Sequence, residues 1–155
     1  MMKSVFKIRP AIAADAATIV AFNDAMARET EGHAPDSETL RCGVEALLAD
    51  ADKGRYFLVE HEGRVVGQTM LTTEWSDWRN GEFWWIQSVY IEPEFRRRGV
   101  FRKLYRHVLQ LAQTDEQCCG LRLYVERENE KAQQTYRALG MQPARYAMFE
   151  KAFTR

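Results

Sequence analysis

Arg96-Arg97-Arg98-Gly99-Val100-Phe101 lies between a hydrophobic segment, Phe83 to Ile91, and a stretch whose apolar residues Val100, Leu104, Val108 and Leu111 recur at helical spacing. The pattern predicts a strand that runs through a short arginine-rich loop into a helix. Such a junction aims backbone N–H groups and the positive end of the helix dipole at one point, which suits a pyrophosphate. A phosphorylated cofactor is therefore the first ligand to consider. Three arginines before a glycine also fit a solvated turn or a basic patch for nucleic acid, so the surrounding chain has to decide.

The bulk composition narrows the choice. A chain of 155 residues fits one domain with a sizeable core. Lys+Arg and Asp+Glu both number 22, so the overall field favours neither nucleic acid nor an anionic membrane as partner. The segment Met1 to Lys7 lacks the apolar core of a signal peptide, and no stretch approaches the ~20 apolar residues of a membrane span. We expect a cytoplasmic protein. Cys42, Cys118 and Cys119 show no metal-ligand spacing and read as reduced structural thiols. His33, His61 and His107 are too scattered to suggest a metal site.

Outward from the loop, Phe6-Lys7-Ile8-Arg9 alternates as a first strand that Pro10 ends. Asp15 opens a helix with Ile19, Phe22 and Met26 on one side. Residues 29–35 read as a loop, and Asp36 or Ser37 caps a second helix bearing Leu40, Val44, Leu47 and Leu48. Tyr56 to Glu60, Val65 to Glu74 and Glu82 to Ile91 are three strands joined by short turns, hence antiparallel. After the loop and its helix, Leu121 to Val125 alternates as a strand that should pair in parallel with the fourth. Glu130 to Leu139 is a helix with Ala132, Tyr136 and Leu139 on one face, closed by Gly140. Tyr146 to Ala152 reads as the last strand, with a further short one near Met141. The expected fold class is α/β (α+β): a mixed, mostly antiparallel sheet of six to seven strands flanked by about four helices.

This order, with an Arg-x-x-Gly loop after the fourth strand, resembles the GNAT superfamily of acyl-CoA-dependent N-acetyltransferases. The resemblance covers nearly the whole chain, from Lys7-Ile8-Arg9-Pro10 to Tyr146-Ala147-Met148-Phe149-Glu150. Its most specific parts are Ser88 to Gly99 and Leu123 to Met141, two motifs in the family's register. It implies a GNAT fold, a single domain and acetyl-CoA as cosubstrate. The family's Gln/Arg-x-x-Gly-x-Gly/Ala pattern falls on Arg96, Gly99 and Phe101, and the last position departs from it. The resemblance assigns Arg96, Arg97, Arg98, Gly99, Val100 and Phe101 to the diphosphate, and Val89, Tyr90 and Ile91 to the pantetheine arm through the main chain.

Asn129 and Tyr136 fall where the family places a cofactor contact and a general acid. A phenol with an ordinary pKa of ~10 remains protonated at neutral pH and can protonate the departing thiolate. Asn129 equally suits the cap of the helix that begins at Glu130. Many relatives use a glutamate on the fourth strand as base, whereas the matching Trp84-Trp85-Ile86-Gln87-Ser88 has no carboxylate. That implies proton loss through water, with Glu29, Glu31, Glu74, Asp77 or Glu82 as remote acceptors.

Trp75, Trp78, Trp84 and Trp85 gather around the hairpin that borders the acceptor cleft in this architecture. These aromatics, Trp75 and Trp85 foremost, beside Glu29, Glu31, Glu74 and Asp77 would suit a cation with an apolar body, and hydrophobic packing or a dimer contact is the other use for them. The expected activity is transfer of an acetyl group to a primary amine of a small molecule, by direct attack in a ternary complex with Tyr136 as acid. A protein or peptide amine as acceptor, or a non-catalytic acyl-CoA-binding module, are the alternatives. Relatives often pair through a sheet edge or the last strands, which admits a homodimer.

Overall fold

A computed structural model describes residues 5–154, which divide into two compact units, one ending at Leu123 and one beginning at Tyr124. In the first, the strands are β1 (Phe6–Pro10), β2 (Arg55–His61), β3 (Arg64–Ser76), β4 (Gly81–Ile91) and β5 (Cys118–Arg122). The helices are α1 (Ala16–Glu31), α2 (Ser37–Ala49) and α3 (Val100–Thr114). The strands lie side by side in chain order, β1 to β4 antiparallel and β5 parallel to β4. A parallel pair needs a crossover, and α3 supplies it.

Adjacent residues of β2 show how the layers form. Tyr56 and Leu58 pack with Ile19 of α1 and Val44 of α2 in one cluster. Phe57, which alternation turns to the opposite face, meets His107 of α3 edge-on at 5.3 Å. Helices thus cover both faces, and the buried Leu104 and Val108 of α3 are the apolar positions that its periodicity marked. At the entrance to α1, Asp15 accepts both terminal nitrogens of Arg9 at 2.8 and 2.9 Å and the Ile12 amide at 2.8 Å. The Arg9 guanidinium holds this carboxyl below the usual aspartate range. Asp36 caps α2 by accepting from the Thr39 amide at 2.9 Å, as expected of that residue.

The second unit contains α4 (Glu130–Ala138), capped by Asn129, whose Oδ1 accepts from the Ala132 amide at 3.1 Å. Its far end closes with the Gly140 amide on Arg137 O and the Met141 amide on Tyr136 O, both at 3.0 Å, a Schellman arrangement.

Two strand expectations are corrected. β5 starts at Cys118 and stops at Arg122, where its register with β4 ends at Trp85, instead of spanning Leu121 to Val125. No strand forms over Tyr146–Ala152 or near Met141, and Phe149 is 96% exposed. An alternating segment is stable as a strand only when an edge pairs with it, and its own unit offers a helix alone. The sheet has five strands among the described residues, within the mixed α/β class expected.

Candidate functional site

After β4, a single turn at Pro93–Phe95 leads into Arg96–Gly99, and α3 begins. Arg97 has φ +63° and Gly99 φ +77°, left-handed values that glycine tolerates best. No side chain caps α3. Its first helical hydrogen bond runs from the Lys103 amide to Gly99 O at 3.1 Å, so the first-turn amides, among them Val100 and Arg102, have no carbonyl of the helix to bond. The dipole and these amides favour an anion there.

The three arginines serve different ends. Arg98 lies over the rings of Phe6 and Phe95, 5.6 and 5.1 Å from their centroids. Arg96 donates through Nε to Ile91 O at 2.8 Å, and its terminal nitrogen reaches both carboxylate oxygens of Glu29 at 3.0 Å. Arg97 is exposed. Phe101, where the motif has a small residue, sets its ring against Tyr105 one turn on, 6.4 Å between centroids.

The strand feeding this loop changes character along its length. β4 pairs with β5 only as far as Trp85, yet it continues along β3 to Ile91. Between Gln68–Tyr90 and Met70–Gln87 the register slips, so Ser88 and Val89 together oppose Thr69, and Ser88 takes φ +50°. This is a β-bulge. The Glu92 amide donates to Val66 O of β3 at 2.9 Å, so alternation turns the main chain of Ile91, and of Val89 before it, away from β3. Tyr90 is buried between Phe22, 5.1 Å between ring centroids, and the Arg96 guanidinium, and burial pushes its phenol up.

Other expected residues fall differently. Tyr136 is partly buried on α4, and burial raises its phenol above the usual tyrosine range. The four tryptophans form no single wall. Trp84 is buried under Arg55 on the face that meets α3, and Trp75, two residues beyond Thr73, the partner of Trp84, shares that face at 59% exposure. Trp85 is on the opposite face, and Trp78 is almost wholly exposed. Alternation along a strand separates neighbours that look clustered in sequence. Glu29 is engaged by Arg96, Glu74 by Arg122 at 2.6 Å, and Glu31 is exposed at the end of α1.

One element escaped the sequence reading. A cavity of about 460 Å³ lies between α1, α2 and the sheet, with Asn23, Met26, Leu40, Tyr56, Met70 and Ser88 in its wall. Asn23 Nδ2 donates to Tyr56 Oη at 3.0 Å, and Gln68 Nε2 donates to Asn23 Oδ1 at 2.9 Å and to Ser88 O at 3.1 Å. The available signal was Asn23 itself, a polar residue set in the Ile19, Phe22 and Met26 stripe.

An uncapped helix start reached from a half-paired, bulged strand is an arrangement able to accept a phosphorylated carrier along a strand edge. The acetyltransferase (GNAT) family model matches residues 19–141, and the chain belongs to this family of acyl-CoA-dependent N-acetyltransferases, for which acetyl-CoA is the cosubstrate. A crystal structure described as a possible acetyltransferase from Clostridium difficile 630 superposes with a TM-score of 0.91 and 45% identity, covering 97% of this chain and 99% of that one. The thialysine N-epsilon-acetyltransferase of Sus scrofa is 30% identical over 127 residues, 74% of each chain. That of Bos taurus is 35% identical over 78 residues, and the matched part spans 50% of this chain and 45% of the bovine protein. No described helix is long and apolar enough to cross a membrane.

Proposed function

We propose that this protein transfers the acetyl group of acetyl-CoA to a primary amine of a small molecule, by direct attack of the amine on the thioester in a ternary complex. The observation that carries the reading is the unpaired edge of β4 beyond Trp85 leading straight to the uncapped start of α3. The first-turn amides of α3 and the Arg97 side chain would hold the diphosphate. The main chain of Val89 and Ile91 would pair with the pantetheine arm as an added strand, and Asn129 would touch the coenzyme while capping α4.

In the reaction, the amine nitrogen forms a bond to the acyl carbon, the carbon–sulfur bond breaks, and Tyr136 gives its proton to the thiolate; the acylated nitrogen gives up its extra proton to water, from which the Tyr136 phenolate is reprotonated. A phenol held above its usual range is a proton donor throughout the neutral range, which supports that role. The amine must arrive neutral. The stretch Trp84 to Ser88 carries no carboxylate, and Glu29 and Glu74 are ion-paired, so we assign the first proton to solvent. A small acceptor is favoured because a cavity of about 460 Å³ matches a metabolite better than a peptide groove. The mammalian relatives are named for an epsilon nitrogen, which supports an amine at the end of an alkyl chain.

Calorimetry with acetyl-CoA and with free CoA, followed by thiol release across polyamines, amino acids, aminoglycosides and peptide amines, tests this. Binding of both coenzymes and turnover with small alkyl amines is the expected result. Binding without turnover would make the protein a non-catalytic acyl-CoA-binding module, and no heat with either coenzyme would overturn the reading altogether.

A further inference from the structure

The hydrogen-bond chain beneath the cavity has a direction that one atom imposes. Ser88 O is a backbone carbonyl and can only accept, so the Gln68 atom 3.1 Å from it must be the amide nitrogen. That same nitrogen lies 2.9 Å from the Asn23 amide, which must therefore present its oxygen. Asn23 is left with its nitrogen toward Tyr56 at 3.0 Å, and the phenol oxygen has to accept. The phenol proton must then point elsewhere, and no described residue accepts it. Tyr56 is 4% exposed and forms part of the cavity wall, so a buried donor is left facing the cavity.

The rest of the wall limits what can satisfy that donor. None of the residues lining the cavity is charged, and Met26, Leu40, Val44, Leu47 and Met70 make it largely apolar. A carboxylate would enter without a counter-charge, and an ammonium likewise, at heavy desolvation cost. A neutral oxygen on a hydrocarbon body meets both demands. Ser88 gives the cavity its link to the chemistry, since it lines the wall and directly precedes Val89 on the bulge.

We propose that this cavity receives the body of the amine acceptor and that Tyr56 selects acceptors whose alkyl body carries an ether or hydroxyl oxygen. The inference rests on the transferase reading and deepens it.

The test compares kcat/KM for ω-amino ethers and for n-alkylamines of equal length, in the wild type and in Tyr56→Phe. The ether oxygen changes amine basicity for both enzymes alike, so the ratio of the two ratios isolates the phenol. Loss of one buried hydrogen bond should lower the ether-to-alkyl preference about 10-fold, carried by the acceptor KM with the acetyl-CoA KM unchanged. Asn23→Asp is the second variant: its carboxylate accepts from Gln68 and offers Tyr56 an acceptor, turning the phenol proton inward with the ring still in place. It should erase the preference as well, which loss of ring packing would not explain. Turnover with an unchanged preference in both variants overturns this inference alone. Wild-type protein that releases no thiol with any amine overturns the transferase reading and this inference together.

Discussion

The two halves of β4 obey opposite rules. From Gly81 to Trp85 the strand is held on both sides, by β3 from Ser76 to Thr72 and by β5 from Cys118 to Arg122. Its rings are clamped as well: Phe83 lies under Arg122 at 3.6 Å and Arg79 at 5.0 Å, and Trp84 under Arg55 at 4.5 Å. From Ile86 to Ile91 it keeps β3 alone, carries a bulge with Ser88 at φ +50°, and turns main-chain groups to an open edge. A single strand thus combines a fixed footing with a stretch whose backbone is left available. Rigid elements position functional groups better than loops do, and local strain at such a site persists only where its surroundings enforce it.

On the proposed reading β4 holds the coenzyme and supplies no acid. Its one phenol, Tyr90, is buried against Phe22 and Arg96. Replacing Tyr136 with Phe should therefore lower kcat by about 10²- to 10⁴-fold while coenzyme binding by calorimetry is retained. The pH profile gives the sign. A phenol raised by burial remains protonated through the neutral range, so the wild-type rate should fall only as pH climbs past the usual tyrosine range, and Tyr136→Phe should lose that alkaline limb. A variant with wild-type kcat would return the search for an acid to β4.

The clamped half can be broken separately. A Cβ at Gly120 would lie 2.9 Å from Phe83 Cε1, closer than ring and methyl groups pack, so Gly120→Ala has to push Phe83 out from under Arg122. Overpacking of this kind costs about 1–3 kcal/mol, visible as a lower urea midpoint at unchanged m-value. Once folded, the variant should bind acetyl-CoA as the wild type does. Weaker binding in proportion to lost stability would mean that the two halves are not separable.

Periodicity disclosed most of this scaffold and little of its polar interior. The helical spacing of Val100, Leu104 and Val108 is a burial pattern, and all three are buried, whereas β2 and β3 bury consecutive residues because helices cover both faces of the sheet. The glycine of the loop announced its own left-handed backbone. The Ser88 bulge had no such mark, because a non-glycine residue at positive φ is imposed by its neighbours, here Thr69 and Gln68 bonding the Gln87 and Ser88 carbonyls. The tryptophans misled for a related reason. Their closeness in sequence says nothing about face, which pairing register decides. Tyr56 was legible as the start of a strand, and its polar tip acquired meaning only through Asn23, 33 residues before it, and Gln68, 45 residues from Asn23.

The smallest effect probes the open half directly. Ile91 O points to the unpaired edge, where a pantetheine amide would need it, and Arg96 Nε occupies it at 2.8 Å while Glu29 holds the far end of the same guanidinium. The two claims on this carbonyl compete, and Glu29 favours the arginine. Glu29→Gln removes the charge that pins Arg96, and because the pair is well exposed its loss should cost under about 1 kcal/mol of stability. The same modest energy bounds the functional gain: the acetyl-CoA KM should fall by up to about 5-fold, with kcat nearly unchanged, as Ile91 O becomes easier to take. Initial rates at saturating amine measure it. A higher KM would show that Arg96, in the position Glu29 gives it, helps to hold the coenzyme, and the open edge would then be a site shaped by α1 as much as by β4.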